Sequence, residues 1–494
     1  MDSLPLEAPL ASEILYQRAV SETDIYVSEP PRIAKDVIRT SLKASNLDAF
    51  FTGAFLITTS GILLSNFLVR LGASPVVFGL LSSIPMLVNC MQPLGAYLSE
   101  RTNSRFQYSL RIFVPARLMW LILVFGIVSF SWGWLDSHQL IELTLLVVLI
   151  SNFSGAFGAA SWLSWMATLV PRQLRGRYFG LRNSVTSLTM MICVPLAGLA
   201  VSTWPGGTLQ GYAFILFLGV IAGLLSIGCQ YFQKDVNPQV QNASDNDFSA
   251  QSKNLNNTDT GSDSTENKIE TTLLPDASAK DSIWKNYNFL MFLLYFSLWM
   301  FAVNLSLPFF NLYMLEVLNL DVSLVTLYGS FQAGANLIML IVWGKLADKI
   351  GNRPILQVIG IVASSVPLLW LGIGTSSIDL WLWLPLIHIF IGGNWAALDL
   401  CNNNLQIDVA SVKNQSVYFA TAAAIAGVSG ALGTTIGGFV AENPSSGGLA
   451  GLFVISAAFR VAAIIPLFFI HESRGQSLVQ MIQAFWQSKK IAES

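Results

Sequence analysis

"GKLADKIGNRP", residues 344–354, places two lysines, an aspartate and an arginine directly after a long apolar segment. A similar layout, "AYLSERTNSRF" at residues 96–106, begins 248 residues earlier. Charge is scarce elsewhere, because charged residues make up only 11% of the chain. The repeated charged loop therefore predicts that the chain consists of two related halves.

The composition indicates a protein that faces lipid. Of the 494 residues, 53% are hydrophobic, and the mean hydropathy is +0.56. One soluble core cannot bury that much apolar surface, so we expect the lipid bilayer as a partner. The net charge of -2 and the lack of a basic patch exclude nucleic acid as a partner.

The sequence offers no motif for covalent chemistry. It contains no phosphate-binding loop, zinc motif or nucleophile elbow. The cysteines lie singly inside apolar segments, which argues against disulfides and metal sites; they are Cys90, Cys193, Cys229 and Cys401. We therefore expect neither enzymatic activity nor a metal or cofactor.

Twelve stretches are long and apolar enough to cross about 30 Å of hydrocarbon as helices. Helices 1 to 6 are predicted at 47–70, 76–98, 108–131, 140–168, 178–203 and 210–232, and helices 7 to 12 at 286–315, 322–346, 354–375, 380–407, 416–440 and 450–471. A segment rich in Asn, Ser, Asp and Thr separates the two sets and is predicted to be disordered. The domains are thus a polar arm at 1–45, six-helix bundles at 46–232 and 284–472, a linker at 233–283 and a tail at 473–494.

Basic residues in the short loops predict the topology. Those on one side are Arg101, Arg105, Arg172, Arg175, Arg177, Lys345, Lys349, Arg353 and Lys413, whereas the other side offers only Arg70. Because positive loops stay in the cytoplasm, both termini and the linker are predicted to be cytoplasmic. We expect a monomer in the plasma membrane or a bacterial inner membrane.

The loops after helices 2 and 8 align residue by residue. Ala96 aligns with Gly344, Glu100 with Asp348, Arg101 with Lys349, Asn103 with Gly351 and Arg105 with Arg353. Two parallel six-helix repeats explain this match most simply.

The loop "GKLADKIGNRP" resembles the G-x-L-a-D-[RK]-x-G-[RK]-[RK] motif of the major facilitator superfamily, placed as in that family between helices 8 and 9. The loop between helices 2 and 3 is a weaker copy. The resemblance implies an all-α membrane protein whose twelve transmembrane helices form two pseudo-symmetric six-helix bundles. It also implies transport by alternating access.

The charged loops are predicted to act as a gate. Gly351 suits a left-handed turn, Asp348 is expected to cap helix 11 near Ser416, and Lys349 or Arg353 to pair with Asp408. Such contacts would hold the cytoplasmic helix ends together and break on opening. The alternative is that these charges only enforce topology. The predicted gating set is Gly344, Asp348, Lys349, Gly351, Arg353, Asp408, Glu100, Arg101 and Arg105.

Helix 10 carries a polar stripe. His388, Trp395, Asp399, Asn402 and Gln406 occur at i, i+7, i+11, i+14 and i+18, so they share one face that points to a cavity or another helix. Asp399 lies about 13 Å from the inner end of the helix at 1.5 Å per residue. An unpaired carboxylate at that depth is a functional candidate, and a structural salt bridge or a hydrogen-bonded neutral acid is the alternative.

Other helices carry polar residues where the resemblance implies a central cavity, which in that family is lined by helices 1, 4, 7 and 10. Helix 1 presents Asp48, Thr52, Thr59 and Asn66, helix 7 presents Asn304, Pro308 and Asn311, and helix 4 adds Asn152, Ser154, Trp162 and Trp165. The predicted substrate or coupling residues outside helix 10 are Thr59, Asn66, Asn152, Trp162, Asn304 and Asn311. Gln332 and Asn336 on helix 8, and Asn89 and Gln92 on helix 2, are interpreted as bonds between helices.

Four arginines fall within the predicted helices. Arg111 and Arg182 lie within reach of the cytoplasmic interface and are interpreted as anchors. Arg117 and Arg460 lie deeper, so each requires an internal partner that the sequence does not name.

The leading functional hypothesis is a secondary transporter that moves a small organic solute, with H+ as the coupling ion. Drug–proton antiporters of the resembling family carry an arginine early in helix 4, where this chain has Ser151, and their G-P-x-x-G-G signature is reduced to "CVPLAG". These departures disfavour drug export but leave Asp399, His388 and Asp48 able to titrate. The alternatives are a facilitator without coupling and a transporter-like membrane sensor or scaffold.

Overall fold

A computed structural model describes residues 35–102, 104–170, 175–235, 285–410 and 415–472, and within these ranges the regular structure is entirely helical. Helix 1 comprises Lys35–Thr59 and Gly61–Arg70, helix 2 Pro75–Asn89 and Gln92–Glu100, helix 3 Arg105–Ser131, helix 4 Ser137–Leu169, helix 5 Arg175–Ser202 and helix 6 Thr208–Gln230. In the second half, helix 7 is Tyr287–Leu312 with a π turn at Tyr313–Val317, helix 8 Val322–Ile350, and helix 9 Asn352–Leu369 with a 3-10 turn at Trp370–Gly372. Helix 10 is a π turn at Asp379–Trp383 followed by Leu384–Val409, helix 11 is Gln415–Glu442, and helix 12 is Gly448–Ile464 with a 3-10 turn at Ile465–Phe469.

The twelve predicted membrane helices are confirmed, although helix 2 is not continuous. Eleven helices are long and apolar enough to span a bilayer, and the apolar part of helix 2 is only the 15 residues of Pro75–Asn89. The helix tightens at Cys90 and Met91, whose amides bond to carbonyls three residues back. It then restarts with Pro93 in its first turn, where a missing N–H costs nothing.

Helix 1 also differs from its predicted bounds. It begins at Lys35, twelve residues before the expected start at 47, and the added segment packs against the bundle. The Lys234 amide donates to Ser41 Oγ over 3.0 Å, and the Tyr178 hydroxyl donates to Ser45 Oγ. Buried serines on the added turns therefore explain why part of the predicted arm is ordered.

The proposed domain limits change accordingly. Residues 35–45 belong to helix 1, and residues 233–235 continue the first bundle. The rest of the arm, most of the predicted linker and the tail, at 1–34, 236–284 and 473–494, lie outside the described residues.

Glycines allow the two halves to touch. A Cβ on Gly79 of helix 2 would lie 2.5 Å from the Thr434 carbonyl oxygen of helix 11 and 3.3 Å from Gly438 Cα. On the other side of the interface, Gly198 of helix 5 abuts Thr326 of helix 8. The small-residue run "GVSGALGTTIGG" of helix 11, residues 427–438, thus serves close packing.

These contacts lie in the half of the molecule remote from the Lys/Arg-rich loops. Of the described residues, two hydrogen-bonded pairs join the halves, Ser74 Oγ to Glu442 Oε2 and Ser330 Oγ to Met191 O, both over 3.2 Å. The larger apolar cluster spans both halves at the same level. The second cluster, around Trp299 and Tyr418, belongs to the second half alone. The halves therefore converge at one end.

Candidate functional site

A cavity separates the two halves at mid-depth. Its first part, the N-side compartment, has a volume of about 400 Å³ and is lined by helices 1, 2, 3, 4 and 7. Its second part, the C-side compartment, has a volume of about 710 Å³ and is lined by helices 1, 2, 5, 7, 8, 9 and 10. The compartments share Ser82, Pro308 and Asn311, so they adjoin at helix 7.

Helix 10 brings three residues of its predicted stripe to the C-side compartment. Asp399 is exposed on the wall, and its carboxylate makes no hydrogen bond or ion pair with another described residue. Trp395 lies one turn away, and His388 lies deeper, with 4% of its surface exposed. His388 Nδ1 is 2.8 Å from the Leu384 carbonyl oxygen, so this nitrogen carries the proton of a neutral ring and Nε2 is left as an acceptor.

The polar stripe leaves the cavity before helix 10 ends. Asn402 accepts a hydrogen bond from the Tyr295 hydroxyl over 2.9 Å and is buried against helix 7, outside both compartments. Gln406 lies about two turns beyond Asp399, towards the helix end, and also lies outside them. Helical periodicity places a residue on a face but does not say where along that face the cavity stops.

Amide side chains supply most of the remaining polar surface. Asn304 donates to the Met300 carbonyl over 2.7 Å, which leaves its own carbonyl oxygen available, and Asn336 donates to the Gly392 carbonyl over 3.4 Å. The amides of Asn311 and Gln332 make no hydrogen bond within the described part of the chain. Asn336 thus forms the bond between helices that the sequence predicts, whereas Gln332 forms none with the described residues, and both residues line the cavity. Amides offer donors and acceptors together, which suits hydroxyl and carbonyl groups.

Two of the four candidates predicted on helices 1 and 4 line the N-side compartment. Thr59 donates to the Phe55 carbonyl over 3.1 Å, and Asn152 donates to the Val148 carbonyl over 2.8 Å. Asn66 and Trp162 do not line it. Asn66 is buried further along helix 1, whereas the Trp162 ring lies under a guanidinium group.

That guanidinium belongs to an ionic cluster that the sequence did not reveal, the Asp48 cluster. Asp48 is 1% exposed, and its Oδ2 lies 3.2 Å from Arg182 Nη2. Its Oδ1 accepts hydrogen bonds from Ser226 Oγ, from Thr52 Oγ1 over 3.4 Å and from Gln230 Nε2 over 3.4 Å. The cluster thus joins helices 1, 5 and 6.

Two interpretations of Asp48 and Arg182 were wrong. Arg182 is no interfacial anchor, because its guanidinium lies 4.1 Å from the Trp162 ring centroid and pairs with a buried carboxylate. The predicted bounds 47–70 make Asp48 the second residue of helix 1, but it lies well inside the helix, because that helix starts at Lys35. Burial forces the two charges together, since either one alone would be strongly destabilising.

The charged loop after helix 8 has the predicted turn, but Arg353 does not form the predicted pair with Asp408. Gly351 has φ +91°, a backbone conformation that glycine alone adopts readily. Arg353 donates from Nε to the Leu467 carbonyl over 2.8 Å and from Nη2 to the Phe468 carbonyl over 2.7 Å, so it binds the end of helix 12 rather than Asp408. The last carbonyl groups of a helix have no donor within the helix, which explains why Arg353 binds these two.

Among the other members of the gating set, Arg105 is buried, with 2% of its surface exposed, and Asp408 is exposed. Asp348 and Lys349 are exposed, and the Asp348 carboxylate bonds to no other described residue; Gly344 is half-buried. In the first copy, Arg101 lies over the Tyr97 ring with its guanidinium carbon 4.6 Å from the centroid. The side chain of Glu100, and Asn103, Ser416 and Lys413, lie outside what the structure describes.

A carboxylate after the last helix of each half caps the third helix of that half. Glu472 accepts from the backbone amides of Asn352 and Arg353 over 2.8 and 2.9 Å, at the start of helix 9. Asp235 likewise accepts from the amides of Arg105 and Phe106 over 3.2 and 3.3 Å, at the start of helix 3. Each negative charge lies at the positive end of a helix dipole, where it is stabilising.

Removing the cap should lower stability measurably. Glu472→Ala leaves two amides of helix 9 without their acceptor, and we expect a loss of about 1 kcal/mol in the free energy of unfolding. Asp348→Ala, in the same loop, is the matched control and should leave the thermal midpoint unchanged. Equal shifts in the two variants would contradict the capping role.

Arg117 and Arg460 find their partners in equivalent helix contacts. Arg117 of helix 3 donates from Nη1 to the Gly223 carbonyl of helix 6, and Arg460 of helix 12 donates from Nη1 to the Ala363 carbonyl of helix 9 over 2.9 Å. Arg460 also donates to Ser306 Oγ of helix 7 over 2.9 Å. Gly223 and Arg460 are 237 residues apart, as are Asp235 and Glu472, so positions 223 and 460 are equivalent in the two halves. The two contacts therefore correspond, but the arginine comes from the third helix in the first half and from the sixth helix in the second.

The comparisons with known proteins agree with this architecture. The sequence matches the family model described as Major Facilitator Superfamily over residues 49–433. No curated protein sequence matches the chain. Similar solved structures are the D-xylose-proton symporter (TM-score 0.63, 14% identity, 89% of this chain and 100% of that one) and the nucleoside transporter NupG (0.60, 14%, 88% and 98%). Another is a bacterial homolog of the human lysosomal transporter Spinster in an inward-facing, unoccupied conformation (0.56, 13%, 89% and 96%).

Proposed function

Because the chain belongs to the major facilitator superfamily and is an integral membrane protein, we propose that it is a secondary transporter that carries a small organic solute by alternating access. The observation that supports this most directly is the cavity between the two halves. Its walls come from both halves, and they carry polar groups at a depth where lipid-facing polar groups are costly. Rocking one half against the other would expose such a site to each side in turn.

The direction of opening follows from the contacts between the halves. The halves meet at the ends remote from the Lys/Arg-rich loops, and the positive-inside rule assigns those loops to the cytoplasm. We therefore propose an inward-open conformation with both termini in the cytoplasm. An impermeant maleimide should label Ser376→Cys in intact cells and Lys349→Cys only after permeabilisation. The reverse pattern would overturn the topology.

We further propose that Asp399 couples transport to protons. It lines the cavity within helix 10 and has no cationic partner in the described chain. A carboxyl group at membrane depth with no cation beside it can take up and release a proton as the cavity opens to one side and then to the other. A facilitator without coupling would not need this carboxylate.

The lining also limits the solute. Compartments of about 400 and 710 Å³ fit the range of small-molecule sites. The C-side lining combines four amide side chains and two tryptophan rings with aliphatic groups, so a polar solute with one apolar face suits this wall.

Solute binding and flux test the transporter hypothesis in two steps. Purified full chain would be screened with metabolites for a rise in thermal midpoint, since a ligand that binds the folded state stabilises it. Each hit would then be tested for counterflow in proteoliposomes. If hits stabilise the chain but none of them shows counterflow, the sensor or scaffold alternative would be favoured.

A further inference from the structure

Helix 1 is interrupted beside the cavity. Its first segment ends at Thr59, Ser60 is extended with φ -153° and ψ 177°, and Gly61 has φ +67°. The second segment then runs for 10 residues to Arg70. Backbone polar groups at membrane depth are tolerated only where protein, water or a ligand satisfies them.

The interruption leaves backbone donors open. The first amides of any helix have no acceptor within the helix, and the Ser60 side chain does not supply one, because its Oγ donates to the Leu56 carbonyl over 2.7 Å. No side chain of the described residues accepts a hydrogen bond from the amides of residues 61–63. Ser60 and Gly61 line the N-side compartment, and a Cβ built on Gly61 would meet no atom within 4 Å.

A second donor lies one turn further along the same wall. Ser65 lines the N-side compartment and is only 8% exposed, yet its hydroxyl makes no hydrogen bond with the described residues. It follows Gly61 by four residues, so the two share a helix face. Because Ser65 lines the compartment, a group that enters the cavity can accept a hydrogen bond from its hydroxyl.

The charge on this wall has one sign. Arg117 also lines the N-side compartment, is 6% exposed, and is the only charged residue among the described residues that line it. The amino end of a helix carries a partial positive charge. Asp399, the only carboxylate of the C-side lining, lies in the other compartment. The two compartments thus differ in sign.

We propose that the interruption of helix 1 is a subsite for an anionic oxygen group of the solute, such as a carboxylate, bound by the amides that follow Ser60 and by the Ser65 hydroxyl. This proposal rests on the proposed function in one respect, which is that the solute binds in this cavity. Small organic acids and zwitterions are the solute class that fits it. In a zwitterion, the cationic group would face Asp399.

Binding of matched pairs to the purified full chain tests the subsite. The probes are lactate, glycine and alanine, each compared with its uncharged or cationic amide, and the readouts are thermal midpoint and saturation-transfer NMR. We expect at least one carboxylate to bind and its amide not to. Ser65→Ala should weaken that binding about three- to tenfold, as loss of one hydrogen bond does, and Ser65→Asp should abolish it. Ser365→Ala, which changes an exposed serine of helix 9 outside both compartments, is the control and should bind normally.

The outcomes separate the subsite from transport. Carboxylate binding that depends on Ser65 but gives no counterflow would support the subsite and remove the transporter hypothesis. Counterflow of a solute whose binding Ser65→Asp leaves intact would overturn the subsite and keep transport. A panel in which no carboxylate stabilises the chain more than its amide would also overturn the subsite.

Discussion

Asp399→Asn is expected to abolish accumulation of the solute against a gradient in proteoliposomes, while the protein still inserts and folds. Asparagine has nearly the same volume and still forms hydrogen bonds, but it cannot exchange a proton. If Asp399 couples transport to protons, downhill exchange should persist, because exchange needs no net proton movement. Loss of exchange as well would indicate that Asp399 binds the solute directly.

Asp379→Asn is the matched control for this experiment. Asp379 begins the same helix, but its carboxylate accepts a hydrogen bond from Ser376 Oγ over 2.8 Å and lies outside both compartments. It should transport normally. Normal concentrative transport by Asp399→Asn would leave Asp399 as a structural residue and favour a facilitator without proton coupling.

Asp48→Ala is expected to destabilise the protein by about 3–5 kcal/mol, because it leaves Arg182 largely buried without its counter-charge. Ser226, Thr52 and Gln230 lose a shared acceptor in the same step. The measurement is the thermal midpoint of the purified chain. Arg111→Met, which removes an exposed arginine, should leave that midpoint unchanged.

The double variant Asp48→Ala/Arg182→Met decides whether the loss comes from the unpaired charge. Replacing both members of a buried ion pair by apolar groups is often nearly neutral, whereas removing one is not. The double variant should therefore regain most of the lost stability. If it is as unstable as the single variant, the carboxylate matters mainly as an acceptor for its hydroxyl and amide neighbours.

Length and hydropathy were enough to predict the twelve helices, because crossing lipid requires long apolar segments with internally bonded backbones. The interruptions in helices 1 and 2 were not predicted. Gly61 marks the first and Pro93 the second, yet Pro115, Pro195 and Pro308 lie inside continuous helices. Whether such a residue breaks a membrane helix depends on what its neighbours offer to the freed backbone groups, which the local sequence does not show.

Positions that depend on a single helix could be predicted from the sequence. Periodicity on helix 10 placed Trp395 and Asp399 on the cavity wall together, but it gave no distance between helices. The pairing of Asp48 with Arg182 joins residues 134 apart in sequence, so neither residue points to the other. The caps by Asp235 and Glu472 were missed for the same reason. Each carboxylate follows the sixth helix of its half, far in sequence from the third helix that it caps.

The arginine contacts between helices 3 and 6 and between helices 9 and 12 imply a rule of mutual exclusion. A Cβ on Gly223 would lie 3.0 Å from Arg117 Cδ and 2.9 Å from the Phe55 ring, so any larger residue at 223 conflicts with arginine at 117. In the second half, the arginine occupies the position equivalent to 223, and helix 9 supplies the carbonyl instead. Each half therefore has room for one arginine side chain at this crossing. The residues at positions 117 and 223 can be substituted only as a pair. Among relatives of this chain, a side chain at position 223 should accompany the loss of arginine at 117.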